Sequence, residues 1–263
     1  MVLPSLPQTS DILYPDCDGQ PMADNTEQFR WIVVIKENLE WLFADDPNVF
    51  VAGDLLWYPV QGNNKIRMAP DALVAIGRPK GRRGSYKQWE EDNLAPQVVF
   101  EILSPGNTAA EMNRKLLFYD RYGVEEYYCY DPDTNQLAGW QRRDDFLDVI
   151  EAIAHWVSPR LGIRFDWSSD GLVIRDPNGA PFRSFVEVTQ QAELATQQAE
   201  LATQRANAAE QALQAAVPRL LGMGLTPVQV AEALGIPVAI AEQLSRSAPT
   251  PPTPAETPLE TDS

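Results

Sequence analysis

The sequence predicts an α/β fold with a C-terminal α-helical coiled-coil extension, and three observations predict it. Strand-like apolar runs alternate with two capped amphipathic helices. One of those runs, Val98-Val99-Phe100-Glu101-Ile102-Leu103, is apolar on both faces but for a single acid. Residues 191–197 (QAELATQ) recur unchanged as 198–204. A strand apolar on both faces belongs at the centre of a covered sheet, and a seven-residue repeat with small apolar seam positions is the pattern of a coiled coil.

Taken in order, residues 1–21 carry four prolines and little periodicity, and read as a poorly ordered lead-in or an edge segment. A helix is expected from Asp24 to about Phe43, with Asp24 and Glu27 at capping-box spacing. Its buried stripe is Trp31, Val34, Ile35, Leu39 and Leu42. Strands follow at Val49–Val51, Leu55–Tyr58 and Leu73–Ile76, then a Gly- and Arg-rich loop, then the 98–103 run. A second helix runs from Thr108 to Tyr122, capped by Thr108 with Glu111 and stopped by Gly123. The strand Glu126–Tyr130 ends at the turn Asp131-Pro132-Asp133, and Leu137–Arg142 returns beside it. Short strands and turns continue to about Phe182, so one domain is expected over residues 22–182.

Beyond it, the a and d positions counted from Phe185 and Val188 are Ala192, Ala195, Ala199, Ala202, Ala206, Ala209, Leu213 and Ala216. This seam predicts a coiled coil over 185–216 whose alanine core buries little area per layer and pairs weakly, and with it a homo-oligomer. Residues 218–246 form a small helix-turn-helix-like module: Thr226-Pro227 opens one helix, Gly235 ends it and Pro237 opens the next. Its second helix carries no base before Leu244 and does carry Glu242, which suits assembly better than DNA reading. Residues 247–263, rich in Pro and Thr, read as a disordered tail.

Composition narrows the chemistry. The chain has 263 residues with seven Trp and nine Phe, enough for a well-buried domain plus appendages. No apolar run approaches the roughly 18 residues of a membrane span, and MVLPSLPQTS lacks the cationic start of a secretory signal, so a cytoplasmic protein is expected. Cys17 and Cys129 lie too far apart in sequence to suggest a zinc or disulfide motif. The single histidine, His155, has no nucleophile motif beside it and reads as structural or surface. Chemistry must then rest on carboxylates, lysine and a hard metal. The net charge of −16 opposes broad nucleic-acid affinity. Against that sum, Lys65 and Arg67, then Arg78, Lys80, Arg82, Arg83 and Lys87 gather in one stretch, either a solvated loop or a phosphate-contacting one.

Three residues stand out. Glu101 is costly to bury unless paired, protonated or metal-bound. Asp71 follows Pro70 and immediately precedes a strand of Ala-Leu-Val-Ala-Ile. Two carboxylates at one sheet edge supply the oxygen shell Mg²⁺ prefers. At about 100° per residue, Lys115 falls within the Met112, Leu116, Tyr119, Tyr122 stripe of its helix, where its ammonium either snorkels to water or meets an anion such as Glu101. Together they describe a metal-dependent phosphodiesterase in which Lys115 orients water, helps deprotonate it, or offsets transition-state charge.

With Met68-Ala-Pro-Asp71, Val99-Phe-Glu101-Ile-Leu-Ser104-Pro, Lys115-Leu-Leu-Phe-Tyr119, Gly123-Val-Glu-Glu-Tyr127 and Asp131-Pro in this order, the chain resembles the Uma-type family of putative restriction endonucleases, within the PD-(D/E)xK nuclease superfamily. The resemblance covers about residues 24–180. It implies a restriction-endonuclease-like αβββαβ core with a mixed sheet, and Mg²⁺ (or Mn²⁺) held by Asp71, Glu101 and the backbone carbonyl of Ile102. The superfamily lysine two residues after the Glu is replaced here by Leu103, and Lys115 on the following helix takes its part. Glu27 and Tyr119 are accessory candidates, and Arg78, Lys80, Arg82, Arg83 and Lys87 are candidate nucleic-acid contacts. The function expected is a Mg²⁺-dependent endonuclease cutting DNA. The alternative is a nuclease-fold protein with little or no activity that acts as a binding or assembly module through its coiled coil.

Overall fold

The computed structural model describes residues 12–17, 19 and 21–246. The expected tail, 247–263, lies outside the described residues, as does most of the expected lead-in. Within that lead-in, residues 13–15 are docked, which corrects the expectation of poor order there. The Tyr58 hydroxyl donates to the Pro15 carbonyl at 2.7 Å, Gly62 N–H donates to the Tyr14 hydroxyl at 2.7 Å, and Tyr14 packs edge-on to Tyr58 with centroids 5.2 Å apart.

Helix α1 runs Thr26–Leu42 and starts one residue later than the capping pattern implied. Asn25, not Asp24, takes the Gln28 N–H at 2.8 Å, because the Asp24 carboxylate accepts the Ser104 hydroxyl at 2.6 Å. Where the chain leaves α1, the Lys80 ammonium donates to the carbonyls of Phe43 and Ala44, a cation at the negative end of the helix.

Strands β1 (Val49–Gly53), β2 (Trp57–Tyr58), β3 (Ala72–Ile76), β4 (Tyr86–Lys87) and β5 (Val98–Ile102) precede helix α2 (Ala109–Arg121). Then come β6 (Glu126–Asp131), β7 (Gln136–Arg143) and β8 (Phe146–Val149), followed by β9 (Trp156–Val157), β10 (Arg164–Ser168) and β11 (Gly171–Arg175). The central sheet has the order β1-β3-β5-β6-β7-β8. Only β5 and β6 run parallel within it, joined by α2 as crossover, so the sheet is mixed. The elements α1, β1, β3, β5, α2 and β6 give the αβββαβ order. The expected strand at 55–58 departs from this plan: only Trp57 and Tyr58 are extended, and they pair with β4 outside the central sheet.

Alternation along β5 divides the core into two layers. Val98, Phe100 and Ile102 cluster with Ile32, Ile35 and Leu39 of α1, with Ile163 just before β10, and with Phe165 and Ile174 from the β9–β11 sheet. Val99 faces the other way, with Leu73 and Ala75, onto Tyr119 of α2 and onto Trp57 and Tyr86. At the start of β6 the buried Glu126 accepts from the Ser158 hydroxyl, from the Arg160 N–H at 2.8 Å and from the Tyr128 hydroxyl at 3.0 Å. This anchors the segment before β10 to the central sheet.

The chain divides into two compact units, residues 1–188 and 189–263. Helix α3 (Phe185–Gly222) is one continuous helix passing from the first into the second, followed by α4 (Pro227–Leu234) and α5 (Val238–Arg246). In the second unit Val217, Val230, Ala231 and Ala241 form a small core. Thr226 and Gln229 close a capping box at the start of α4, and Gly235 ends it at φ 63°. Among the described residues no helix is long and apolar enough to cross a membrane.

On β10, Asp166 accepts from Arg164 at 2.8 Å, from Arg175 at 2.6 Å and pairs with His155 at 3.0 Å. His155 is therefore a surface partner of a sheet carboxylate, held at φ 63°. Hydrogen bonds from Arg164, then His155 and Arg175, hold the Asp166 carboxyl well below its ordinary range. A depressed folded-state value stabilises the fold above the unfolded carboxylate's pKa, near 4, and that contribution disappears as pH falls through the folded value. Asp166→Asn should lower the melting temperature by about 2 °C at pH 7, and the difference should shrink steadily below about pH 4 in thermal melts. A difference that grows on acidification would refute this role.

Candidate active site

The sheet register creates the site. Ala72 of β3 pairs with Phe100 of β5, so Asp71 stands one residue further along, opposite Glu101. Side chains directly opposite on antiparallel strands project to the same face, with Cβ atoms about 5 Å apart. Where the ladder runs out at Pro70, the Ile102 N–H donates instead to Oδ2 of Asp71 at 2.6 Å. That bond fixes one carboxylate against the strand that carries the other.

Helix α2 completes the site from above this face. Thr108 caps it, accepting the Glu111 N–H at 3.2 Å, and Gly123 leaves it at φ 91°. The resulting phase turns Lys115 and Tyr119, one turn apart, toward β5. Lys115 Nζ donates to Oε2 of Glu101 at 2.7 Å, and the Tyr119 hydroxyl donates to Oε1. Both oxygens of a carboxylate 1% exposed are thus engaged by one helix. The Tyr119 ring is held in turn by Trp57, which lies parallel to it at 6.4 Å.

Electrostatically the cluster carries two carboxylates against one ammonium. Burial, reinforced by the neighbouring charge of Glu101, pushes Asp71 well above the ordinary carboxylate range. Burial also raises Glu101, against the opposing pull of Lys115 and Tyr119. For Lys115 burial works the other way, but the attraction of Glu101 outweighs it and holds the ammonium protonated. Two buried carboxylates that burial drives toward protonation, Asp71 with the added push of Glu101, are short of positive charge, and a divalent cation would relieve that. Their donors are oxygens, the class Mg²⁺ prefers when one or two carboxylates are completed by water and substrate phosphate. Among the described residues no group of three or more His, Cys, Asp and Glu side chains is arranged to hold a metal.

The structure brings Asp71, Glu101, Lys115 and Tyr119 together and treats the other candidates differently. Glu27 receives the Trp31 indole N–H at 3.0 Å and pairs with Arg30 at 3.3 Å. Its neighbour Gln28, buried at 6% exposure, is the α1 residue that reaches the site, donating to the Ile102 carbonyl at 2.8 Å. The sequence held a signal for this: Gln28 is the polar residue in line with Ile32, Ile35 and Leu39, i, i+4, i+7 and i+11 on one helix face. The Ile102 carbonyl expected to face a metal thus already accepts one hydrogen bond. Behind it, Ser104 links Asp24 to Asn107, whose amide donates to Glu111 at 3.2 Å.

The basic loop is largely engaged within the protein. Arg78 pairs with Asp92 and Glu91, and Arg83 pairs with Glu91 while stacking 4.0 Å over Phe50. Lys80 closes the end of α1, and Lys87 lies 3.4 Å from Glu90. Arg82 is exposed and has no ion pair among the described residues.

A family model, Uma2, described as "Putative restriction endonuclease", matches residues 8–175, beginning inside the stretch read as a lead-in. A crystal structure described as a putative nuclease belonging to DUF820 from Anabaena variabilis ATCC 29413 is similar at 15% identity, covering 54% of this chain and 78% of that one, with a TM-score of 0.40. No curated protein matches the chain.

Removing one member of a buried ion pair leaves the other uncompensated, at a cost of about 3–5 kcal/mol. Lys115→Ala should therefore destabilise the domain by about 3 kcal/mol in urea unfolding, and Lys115→Ala with Glu101→Gln should regain most of that. A loss under about 1 kcal/mol would mean the pair behaves as a solvated one.

Proposed function

Because the chain belongs to the Uma2 family of putative restriction endonucleases, we propose that it is a metal-dependent endonuclease that hydrolyses DNA phosphodiester bonds at Asp71, Glu101 and Lys115. The observation that carries this reading is the buried Lys115–Glu101 pair on the same sheet face as Asp71. A scaffold alone has no use for three ionisable groups gathered on a largely buried sheet face, since apolar residues of similar volume would serve stability as well.

Asp71 and Glu101 would hold Mg²⁺ or Mn²⁺, with the second lone pair of the Ile102 carbonyl as a third donor. Bound there, the ion supplies Lewis acidity toward a phosphoryl oxygen and acidifies water. The chain's own groups do the rest. The Ile102 N–H orients Asp71, Gln28 holds the Ile102 carbonyl, and Tyr119 fixes Glu101 about its carboxylate axis. Lys115, kept protonated by Glu101, suits two of the three roles open to it: donating a hydrogen bond that orients the attacking water, and offsetting negative charge as the phosphorus becomes five-coordinate. A lysine held in its charged form is a poor base. One observation favours the assembly reading instead, namely that most cations of the 78–87 loop are bound within the protein and leave little basic surface there for DNA.

The test is nicking of supercoiled plasmid and of single-stranded DNA with Mg²⁺ or Mn²⁺, alongside calorimetric titration of Mn²⁺. Wild type should cleave, chelation should stop it, and Glu101→Gln and Lys115→Met should each lower the rate about 100-fold or more. Asp71→Asn should weaken Mn²⁺ binding. Folded wild type that neither cleaves nor takes up Mn²⁺ would transfer support to the assembly reading.

A further inference from the structure

We propose that α3 is one strand of a parallel, in-register two-stranded coiled coil formed with a second copy of this chain, selected by an Arg205–Glu210 pair between the copies. The inference concerns the helical extension and is independent of the nuclease reading. Over residues 189–212 nearly every α3 side chain is exposed in the single chain, including the seam residues Ala192, Ala195, Ala199, Ala202, Ala206 and Ala209. Small exposed residues do not identify a partner. The flanking positions do.

In a parallel two-stranded coil, the g residue of one helix meets the e residue five places further along the other. With Ala192 at an a position, the g positions are Gln191, Gln198 and Arg205, and the e positions are Thr196, Thr203 and Glu210. The pairs so formed are Gln191 with Thr196, Gln198 with Thr203, and Arg205 with Glu210. The one charged pair joins opposite signs, and symmetry makes it twice. Within the chain Arg205 has no ion pair among the described residues, and Glu210 receives only the Gln214 amide, at 3.2 Å. Residues five apart on a helix do not face each other, so the chain cannot make this pair alone.

Two further features suit covering this face. Thr196 and Thr203 already donate their hydroxyls to the carbonyls of Ala192 and Ala199, both at 2.9 Å, so a partner helix leaves no hydroxyl unsatisfied. The alternatives also fit poorly. An antiparallel pairing matches g with g and e with e, which offers Arg205 no acid. A seam through the exposed Leu194 and Leu201 would place in the core either Gln191, Gln198 and Arg205 or Gln197, Gln204 and Gln211.

Sedimentation equilibrium of the full chain over a concentration series tests this, with circular dichroism confirming folding. Wild type should reach twice the chain mass of 29.3 kDa. Arg205→Glu and Glu210→Arg, each creating two like-charge contacts, should each weaken association about 5-fold or more, and the double exchange should restore it to within about 2-fold. Ala199→Cys in a Cys17→Ser background should form an inter-chain disulfide on oxidation, as only a parallel in-register pair brings that position against itself. Monomeric wild type, single variants that associate normally, a double exchange without rescue, or absence of the cross-link would each overturn the proposal. Loss of association with Leu194→Ala but not with Arg205→Glu would overturn it in favour of the leucine seam.

Discussion

The candidate site depends on the burial of one charge. Glu101 lies in the central strand of a mixed sheet with apolar residues on either side, where an uncompensated carboxylate is too costly to keep. Its two oxygens impose two demands on the surroundings. Helix α2 must be phased so that Lys115 and Tyr119 both turn inward, and the strand beside β5 must end where a second carboxylate can face it. The β5–α2–β6 crossover between parallel strands meets the first demand, because it lays α2 across the face on which Glu101 projects. The β3–β5 register meets the second, because the ladder stops at Pro70 and leaves Asp71 beside the Ile102 amide.

The same constraint explains which parts were legible in the sequence. A lone acid inside Val-Val-Phe-Glu-Ile-Leu is conspicuous because apolar strand residues and a charge seldom share an environment. Lys115 was legible because helical phase put it inside its own apolar stripe. Both signals are local, and α2 with its Thr108 cap and Gly123 stop is equally local. What escaped depends on contacts far apart in sequence. Glu27 looked the better candidate on charge, yet Gln28 is the residue aimed at Ile102, 74 positions away. An amide can be buried against a carbonyl at less cost than a carboxylate. The cap of α1 moved from Asp24 to Asn25 because Ser104, 80 positions on, claims the Asp24 carboxylate. The lead-in looked featureless because its anchors are one tyrosine, set between Tyr58 and Trp89, and backbone carbonyls that carry no sequence signal.

Charge shows what a sequence cluster leaves open. Five cations between 78 and 87 read as either a solvated loop or a phosphate-contacting one, and in a chain of net charge −16 most of them have partners within the protein. Glu91 alone engages both Arg78 and Arg83, and Lys80 is aimed at the end of α1. These pairs fix the loop between β3 and β4. The cation most closely tied to the carboxylates is then Lys115, which comes from a helix rather than from the basic run.

The two units apply one physical rule at different scales. In the first, Glu101 forces a lysine inward because no water is available to it. In the second, residues 190–212 of α3 are exposed, and Ala192 through Ala209 cost little to leave so because each methyl offers so little apolar area. Hydrophobic burial alone therefore selects neither partner nor direction along this helix. A single Arg–Glu offset of five residues can, because like-charged registers are penalised while the alanine core is nearly indifferent. Weak cores leave specificity to their flanks, and on α3 the flank carries one complementary pair.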